Sequence, residues 1–238
     1  MTGTAIQGLS RRQIAWRVAQ DLRDGDIVNL GIGLPTLVAD YIGPEREVIL
    51  QSENGILGLG PAPAEAEADP ELINATKHPV SLLPGGCYFD HCLSFTMIRG
   101  GHLDVAVMGA LEVAENGDLA NWRTDEPSYA PGVGGAMDLA VGTKRIWVAM
   151  EHRTRDGRPR LRRRCGYPLT APGVVQRVYS DLAVMAVDGG AVEGGAVDGG
   201  RLVVLEAVPG LGPEDFARWT EAAFVFADDC RALTAPVL

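Results

Sequence analysis

Apolar positions recur at two different spacings along the chain. Between Ser10 and Arg23 they fall four apart, at Ile14, Val18 and Leu22, on one face of a helix that Ser10 can cap and that Gly25 follows. Residues 26–30 then form a short β-branched run, a predicted strand. It feeds into Gly31-Ile32-Gly33, and Pro35 sits where the first turn of a helix through Ile42 would place it. The alternation repeats. Residues 47–51 read as a buried strand closed by the turn Ser52-Glu53-Asn54-Gly55, residues 104–110 and 145–150 as further strands, and residues 91–99 and 136–141 as helices. Residues 182–187 and 202–205 read as the arms of a hairpin and 213–223 as a final helix, while the last dozen residues carry no clear pattern. Strands separated by helices predict an α/β fold, with a layered parallel or mixed sheet and helices on both faces.

Two stretches break this pattern. Residues 61–70 (PAPAEAEADP) have no apolar period and read as a surface loop or a short helix. Residues 188–200 (DGGAVEGGAVDGG) contain GGAV twice and read as a lengthened hairpin loop within a single domain spanning 1–238.

Composition narrows the function classes. Apolar residues make up 46% of the chain, yet no run reaches the ~18 consecutive residues of a membrane span, so no membrane association is expected. The net charge of −10 argues against a nucleic-acid binder, whose affinity rests on cations facing phosphate. No apolar segment follows Arg11-Arg12, so export is not expected. Four irregularly spaced cysteines suit a reducing cytoplasm better than a disulfide framework. Lysine occurs only at 77 and 144, which makes each of them informative.

Glu53 is the first candidate for chemistry. A carboxylate at the carboxyl end of a parallel strand stands where open α/β sheets bind ligands, although capping of a following helix is the commoner explanation of such spacing. Asn54-Gly55 favours left-handed backbone, which can aim N–H groups at a developing oxyanion. Gly31 and Gly33 resemble a phosphate-admitting loop without the third glycine of the dinucleotide fingerprint. Gly132, Gly134 and Gly135 open a helix and allow close approach of a ligand or of another backbone. Lys77 can bind an anion as a point charge, though an exposed lysine is the commoner case.

Other motifs carry less. Cys87, His91 and Cys92 lack a second Cys/His pair, so no metal site is expected. Seven arginines within residues 153–164 fit a solvated hairpin, or a patch for phosphate or a partner subunit. Ser94 and Ser128 have neither a nucleophile elbow nor a histidine partner, which gives a hydrolase no support.

Together QSENG at 51–55, NLGIGLP at 29–35, SFTMIRGG at 94–101, GDLANW at 117–122 and residues 132–139 resemble the family I CoA-transferases. The resemblance runs from about Arg11 to about Ala222 and is greatest to the B, or beta, subunits of 3-oxoacid CoA-transferases. It implies the CoA-transferase, sugar-isomerase-like architecture. It also implies Glu53 as a nucleophile that forms an acyl anhydride and then a CoA thioester, with Asn29, Lys77, Asn121 and Gly135 contacting CoA. Asn54, Gly55, Gly31, Gly33 and Gly134 would support the oxyanion and its loops. Succinyl-CoA and a 3-oxoacid, 3-oxoadipate or acetoacetate, would be the substrates. No cofactor is implied, because the CoA thioester is itself a substrate. An A-type (alpha) subunit would complete the site, within a heterotetramer. Residues 123–131 (RTDEPSYAP) replace the family's Ile-Pro-Gly-Lys segment, so substrate choice stays open. An acetate or glutaconate CoA-transferase subunit and a non-catalytic sugar-phosphate-binding relative are the alternatives.

Overall fold

A computed structural model describes residues 6–126, 131–189 and 200–238. Ser128 and most of the 188–200 repeat therefore lie outside the described residues. In chain order the helices are α1 (Arg11–Asp21), α2 (His91–Arg99), α3 (Ala136–Gly142) and α4 (Pro213–Trp219). The strands are β1 (Ile27–Leu30), β2 (Ile49–Ser52), β3 (Ile56–Leu59), β4 (Leu82–Tyr88), β5 (Val105–Met108), β6 (Glu112–Ala114), β7 (Leu119–Ala120), β8 (Arg145–Ala149), β9 (Leu161–Arg162), β10 (Val175–Tyr179), β11 (Ala183–Asp188), β12 (Arg201–Ala207) and β13 (Phe224–Ala232).

Ten strands form one mixed sheet in the order β13-β12-β11-β10-β8-β5-β1-β2-β3-β4, and β7-β6-β9 form a small second sheet. The centre, β10-β8-β5-β1-β2, is parallel throughout, and antiparallel hairpins extend it on both sides. Val105, Ala106, Val107 and Met108 are all buried in succession, as are Ile146 to Ala149, so both faces of the central strands are covered. One continuous core takes in Ile14 and Val18 of α1, Phe95 and Ile98 of α2, Leu139 of α3 and Phe216 of α4.

Local signals explain why the helices start where they do. Ser10 and Gln13 form a reciprocal capping box at the start of α1. Asp90 accepts from the Leu93 N–H to open α2. Where a helix through Ile42 is predicted, Leu34–Tyr41 is a 3₁₀ helix with Pro35 in its first turn. The acidic stretch at 61–70 holds a single 3₁₀ turn, Glu65–Glu67, and the unpatterned carboxyl terminus supplies β13, parallel to β12.

Candidate active site

Strand β1 is where the chain order of the sheet reverses, with β2 paired on one side and β5 on the other, all parallel. Loops that leave such neighbours diverge and open a crevice at the carboxyl edge. Gly31 leaves β1 there and Glu53 leaves β2. Gly31 lies so close to β5 that its N–H donates to Val107 O at 2.8 Å, and a Cβ on it would stand 3.1 Å from that oxygen.

The layer under Glu53 is polar and closed. Asn29, only 4% exposed, donates through Nδ2 to Gln51 Oε1 at 2.7 Å, and Gln51 Nε2 donates to the buried Ser94 Oγ at 2.9 Å. This chain ties β1, β2 and α2 together and fixes the strand end that carries the glutamate. Asn29 thus sits in the floor of the crevice, while Ser94 serves as a buried acceptor.

Residues 53–55 form a three-residue loop between β2 and β3, closed by the Ser52–Ile56 pair. The turn leads into a strand, which removes helix capping as an explanation of Glu53. Gly55 takes φ +115°, and a Cβ there would collide with Phe89 O. Two expectations are corrected here. The Gly55 N–H is spent on Ser52 O at 2.9 Å, so Gly55 shapes the loop instead of offering an oxyanion donor. Asn54 is not left-handed, because the three-residue loop needs positive φ only at its glycine. Its side chain donates to Ile73 O at 2.7 Å.

That bond, with Ala75 N–H donating to Ser52 Oγ at 2.9 Å, fastens the 73–79 loop to the glutamate turn. Lys77 lies at the tip of this loop, exposed, with φ +65°. The strain of that conformation is held by Asn74, whose carbonyl accepts from Lys77 N–H while its side-chain oxygen accepts from Thr76 and His78. The structure therefore brings Lys77 and Glu53 onto adjoining loops, twenty-four residues apart in sequence.

Gly135, the N-cap of α3, brings its helix against the carboxylate. A Cβ on Gly135 would stand 3.4 Å from Glu53 Oε1 and 2.8 Å from Phe95 Cζ. The φ of −77° suits any residue, so space alone demands glycine here. Gly135→Ala is expected to destabilise the protein by about 1–3 kcal/mol by overpacking against Phe95 and to lower kcat by displacing Glu53. Thermal melts and steady-state rates check this. An alanine variant with wild-type values for both removes Gly135 from the site.

Glu53 is half-buried, and this desolvation pushes its carboxyl above the ordinary glutamate range; His91 pulls it down and Asp138 adds to the rise. Asp138 is held by Arg99 at 2.7 Å, and the Arg99 guanidinium lies 5.6 Å from the centre of the Phe95 ring. Glu53, His91, Phe95, Asp138 and Arg99 thus converge from one turn and two helices. Of these only Glu53 is expected from the sequence to be functional. The i, i+4 repeat His91–Phe95–Arg99 marks one face of α2 in the sequence, but nothing in that spacing points the face at Glu53 or brings Asp138 of α3 to it.

Asn121 follows β7 of the small sheet, where its side-chain oxygen accepts from Thr170 Oγ1 at 2.6 Å. Gly33 has φ +91° with the Arg11 guanidinium 3.9 Å from its Cβ position, and Gly134 (φ +58°) has open space on its Cβ side. The arginine segment is a hairpin that works largely within the fold. Arg153 stacks on Trp219 at 4.3 Å, Arg158 pairs with Asp156, and Arg162 pairs with Glu112 and Glu221. Among the described residues no cluster of three or more His, Cys, Asp or Glu is placed to hold a metal, and no helix is long and apolar enough to cross a membrane.

Residues 11–199 match the family model described as Coenzyme A transferase. The chain is 50% identical over 219 residues to the B-type subunit of the 3-oxoadipate CoA-transferase of Acinetobacter baylyi, covering 92% of this chain and 96% of that one. It is 50% identical over 181 residues to the beta chain of the acetate CoA-transferase of Escherichia coli, covering 76% and 82%. The fold is shared with the acyl-CoA transferase of Escherichia coli O157:H7, with a TM-score of 0.71 at 19% identity, and spans 94% of this chain but 43% of that longer one. The chain therefore belongs to the coenzyme A transferase family, where it is similar to the B-type subunits of the 3-oxoacid CoA-transferases.

Proposed function

We propose that this chain is the glutamate-bearing half of an enzyme that moves CoA from succinyl-CoA to a 3-oxoacid, a 3-oxo dicarboxylate such as 3-oxoadipate ahead of acetoacetate. The observation that carries this reading is Glu53, half-buried at the switch point of a parallel sheet and pressed against a helix start that has no Cβ. A carboxylate short of water is basic and unshielded, as a nucleophile must be.

The Glu53 carboxylate attacks the thioester carbonyl, the C–S bond breaks, and CoA leaves as thiolate, giving an acyl-glutamyl anhydride. The thiolate attacks the glutamyl carbonyl and succinate departs, leaving a glutamyl-CoA thioester. The 3-oxoacid carboxylate then attacks that carbonyl and expels the thiolate, giving a 3-oxoacyl-glutamyl anhydride; the thiolate attacks its 3-oxoacyl carbonyl, and the acyl–oxygen bond breaks to release 3-oxoacyl-CoA and the Glu53 carboxylate. No net proton is exchanged, and no cofactor is required. Lys77, on the adjoining loop, is suited to a CoA phosphate as a point charge.

Both intermediates hydrolyse in water, so the crevice needs a cover. Ile32, Leu93, Met137 and Val141 are 76%, 47%, 48% and 72% exposed on the glycine loop, α2 and α3, the elements that frame Glu53. Such a surface suits an A-type subunit. Co-expression with an A-type subunit tests the reading. The pair is expected to transfer CoA from succinyl-CoA to 3-oxoadipate or acetoacetate, followed by enolate absorbance, and acyl-CoA alone should add a CoA-sized mass to the Glu53 peptide. The lone chain should be inactive. Full activity without a partner, or an active pair with Glu53 unmodified, overturns it. Acetate as the sole acceptor would instead favour the activity for which the Escherichia coli relative is named.

A further inference from the structure

His91 occupies the first position of α2, directly after the cap residue Asp90, whose carboxylate is committed to the Leu93 N–H at 3.0 Å. Its ring lies 4.6 Å from the Phe95 ring, and Phe95 Cζ and Glu53 Oε1 converge on the Cβ position of Gly135. His91 is exposed, and among the described residues its ring nitrogens have no hydrogen-bond partner. The other charges of the cluster are already matched, since Asp138 holds Arg99 at 2.7 Å.

An acyl group joined to Glu53 would share the wall formed by Phe95 and Gly135 with this ring. If it derives from a dicarboxylic acid, it brings a second carboxylate into a half-enclosed site that already contains Glu53 and Asp138. An anion taken from water into such a place needs a donor. On the strength of the dicarboxylate reading above, we propose that His91 is a specificity-determining residue, whose imidazole N–H donates to the free carboxylate of a succinyl or 3-oxoadipyl group while the other end reacts at Glu53. The methyl end of acetoacetate makes no such demand, and with it His91 stays in water.

The test compares two acceptors, 3-oxoadipate and acetoacetate, and two donors, succinyl-CoA and acetyl-CoA, in the complex with its A-type subunit. His91→Phe keeps a ring against Phe95 and removes the donor, whereas His91→Gln keeps a donor. His91→Phe is expected to lower kcat/KM for the dicarboxylic members about tenfold or more, chiefly through KM, and to change the monocarboxylic members less than about twofold. His91→Gln should recover part of the loss. The ratio is the decisive readout, because any influence of the imidazole on Glu53 itself acts on both classes alike. A parallel loss for both classes, or no loss in either, overturns the role of His91 while leaving the transferase reading intact. A wild-type complex that transfers CoA to none of these acids overturns both.

Discussion

Glu53→Gln is expected to eliminate CoA transfer, with kcat lower by on the order of 10³-fold or more, because an amide cannot form the anhydride that preserves the thioester's energy. The CoA-sized adduct should vanish with the rate. The same variant should be as stable as the wild type near neutral pH, or more so. Burial raises the carboxyl's pKa in the folded protein above its ordinary value. A raised acid pKa favours folding below the unfolded pKa, where the group is protonated in both states, and the benefit is lost as pH rises through the folded value. At neutral pH the ionised Glu53 therefore opposes folding, and glutamine removes that opposition. Urea midpoints at neutral and at acid pH check the sign: the variant's advantage should shrink on acidification. In the wild type the reactive carboxylate is lost on acidification at a higher pH than for an exposed glutamate, so the acid limb of the rate profile should lie above the ordinary glutamate range. A Glu53→Gln complex that still turned over would end the covalent mechanism.

How much of this was legible in the sequence depends on whether the signal was local. Helix α2 begins and ends where its pattern predicts, because Asp90 caps it and apolar residues at Phe95 and Ile98 mark one face. Strands β1, β5 and β8 of the parallel centre were legible for the same reason, since they are largely apolar runs covered on both faces, whereas β10, which extends that centre, was not read as a strand. Strands β3 and β4 were not, because Gly58 and Pro84-Gly85-Gly86 interrupt runs that only pairing at the sheet edge makes extended. Strand β13 was hidden by Asp228 and Asp229, which are exposed on an edge strand.

The site divides along the same line. Glu53 could be placed from its position after a strand, and Gly135 from a glycine run at a helix start. The hydrogen bonds that join Asn29, Gln51 and Ser94, and the grouping of His91, Phe95 and Asp138 about Glu53, depend on how α2 and α3 dock over the carboxyl edge. No spacing in the chain encodes that docking. The Asn54-Gly55 pair shows the opposite error: a strong local turn signal was present, but the loop is one residue longer than the two-residue hairpin that Asn-Gly usually closes, which moves the positive φ to the glycine alone.

His152 offers the second large effect, away from the chemistry. It is fully buried at the end of β8, where Nδ1 lies 3.0 Å from Ser180 Oγ, Nε2 lies 2.9 Å from Thr220 Oγ1, and the ring meets Phe216 edge-on at 5.1 Å. Ser180 Oγ also donates to Ala183 O at 3.1 Å, so the hydrogen-bond network assigns the ring proton to Nδ1 and makes Nε2 the acceptor from Thr220. One imidazole thereby joins the β8 end, the β10–β11 corner and the approach to β13. Burial, reinforced by Arg153, lowers its pKa from 6.5 to about 3, while Asp181, which accepts from the His152 backbone N–H, has its own carboxyl raised by burial. A base whose folded pKa is depressed stabilises the fold fully above the unfolded value and loses that contribution as pH falls from 6.5 toward about 3. His152→Ala should cost about 3 kcal/mol at neutral pH, from the cavity under Phe216 and from the hydroxyl left without a partner at Thr220. It should also flatten the pH dependence, because the alanine chain has no imidazole to expose and charge. Urea midpoints measured from about pH 7 to about pH 5, the range in which a free histidine gains its proton, separate these effects. The wild-type midpoint should fall more steeply than the variant's, and parallel falls would place the acid sensitivity in the carboxylates instead.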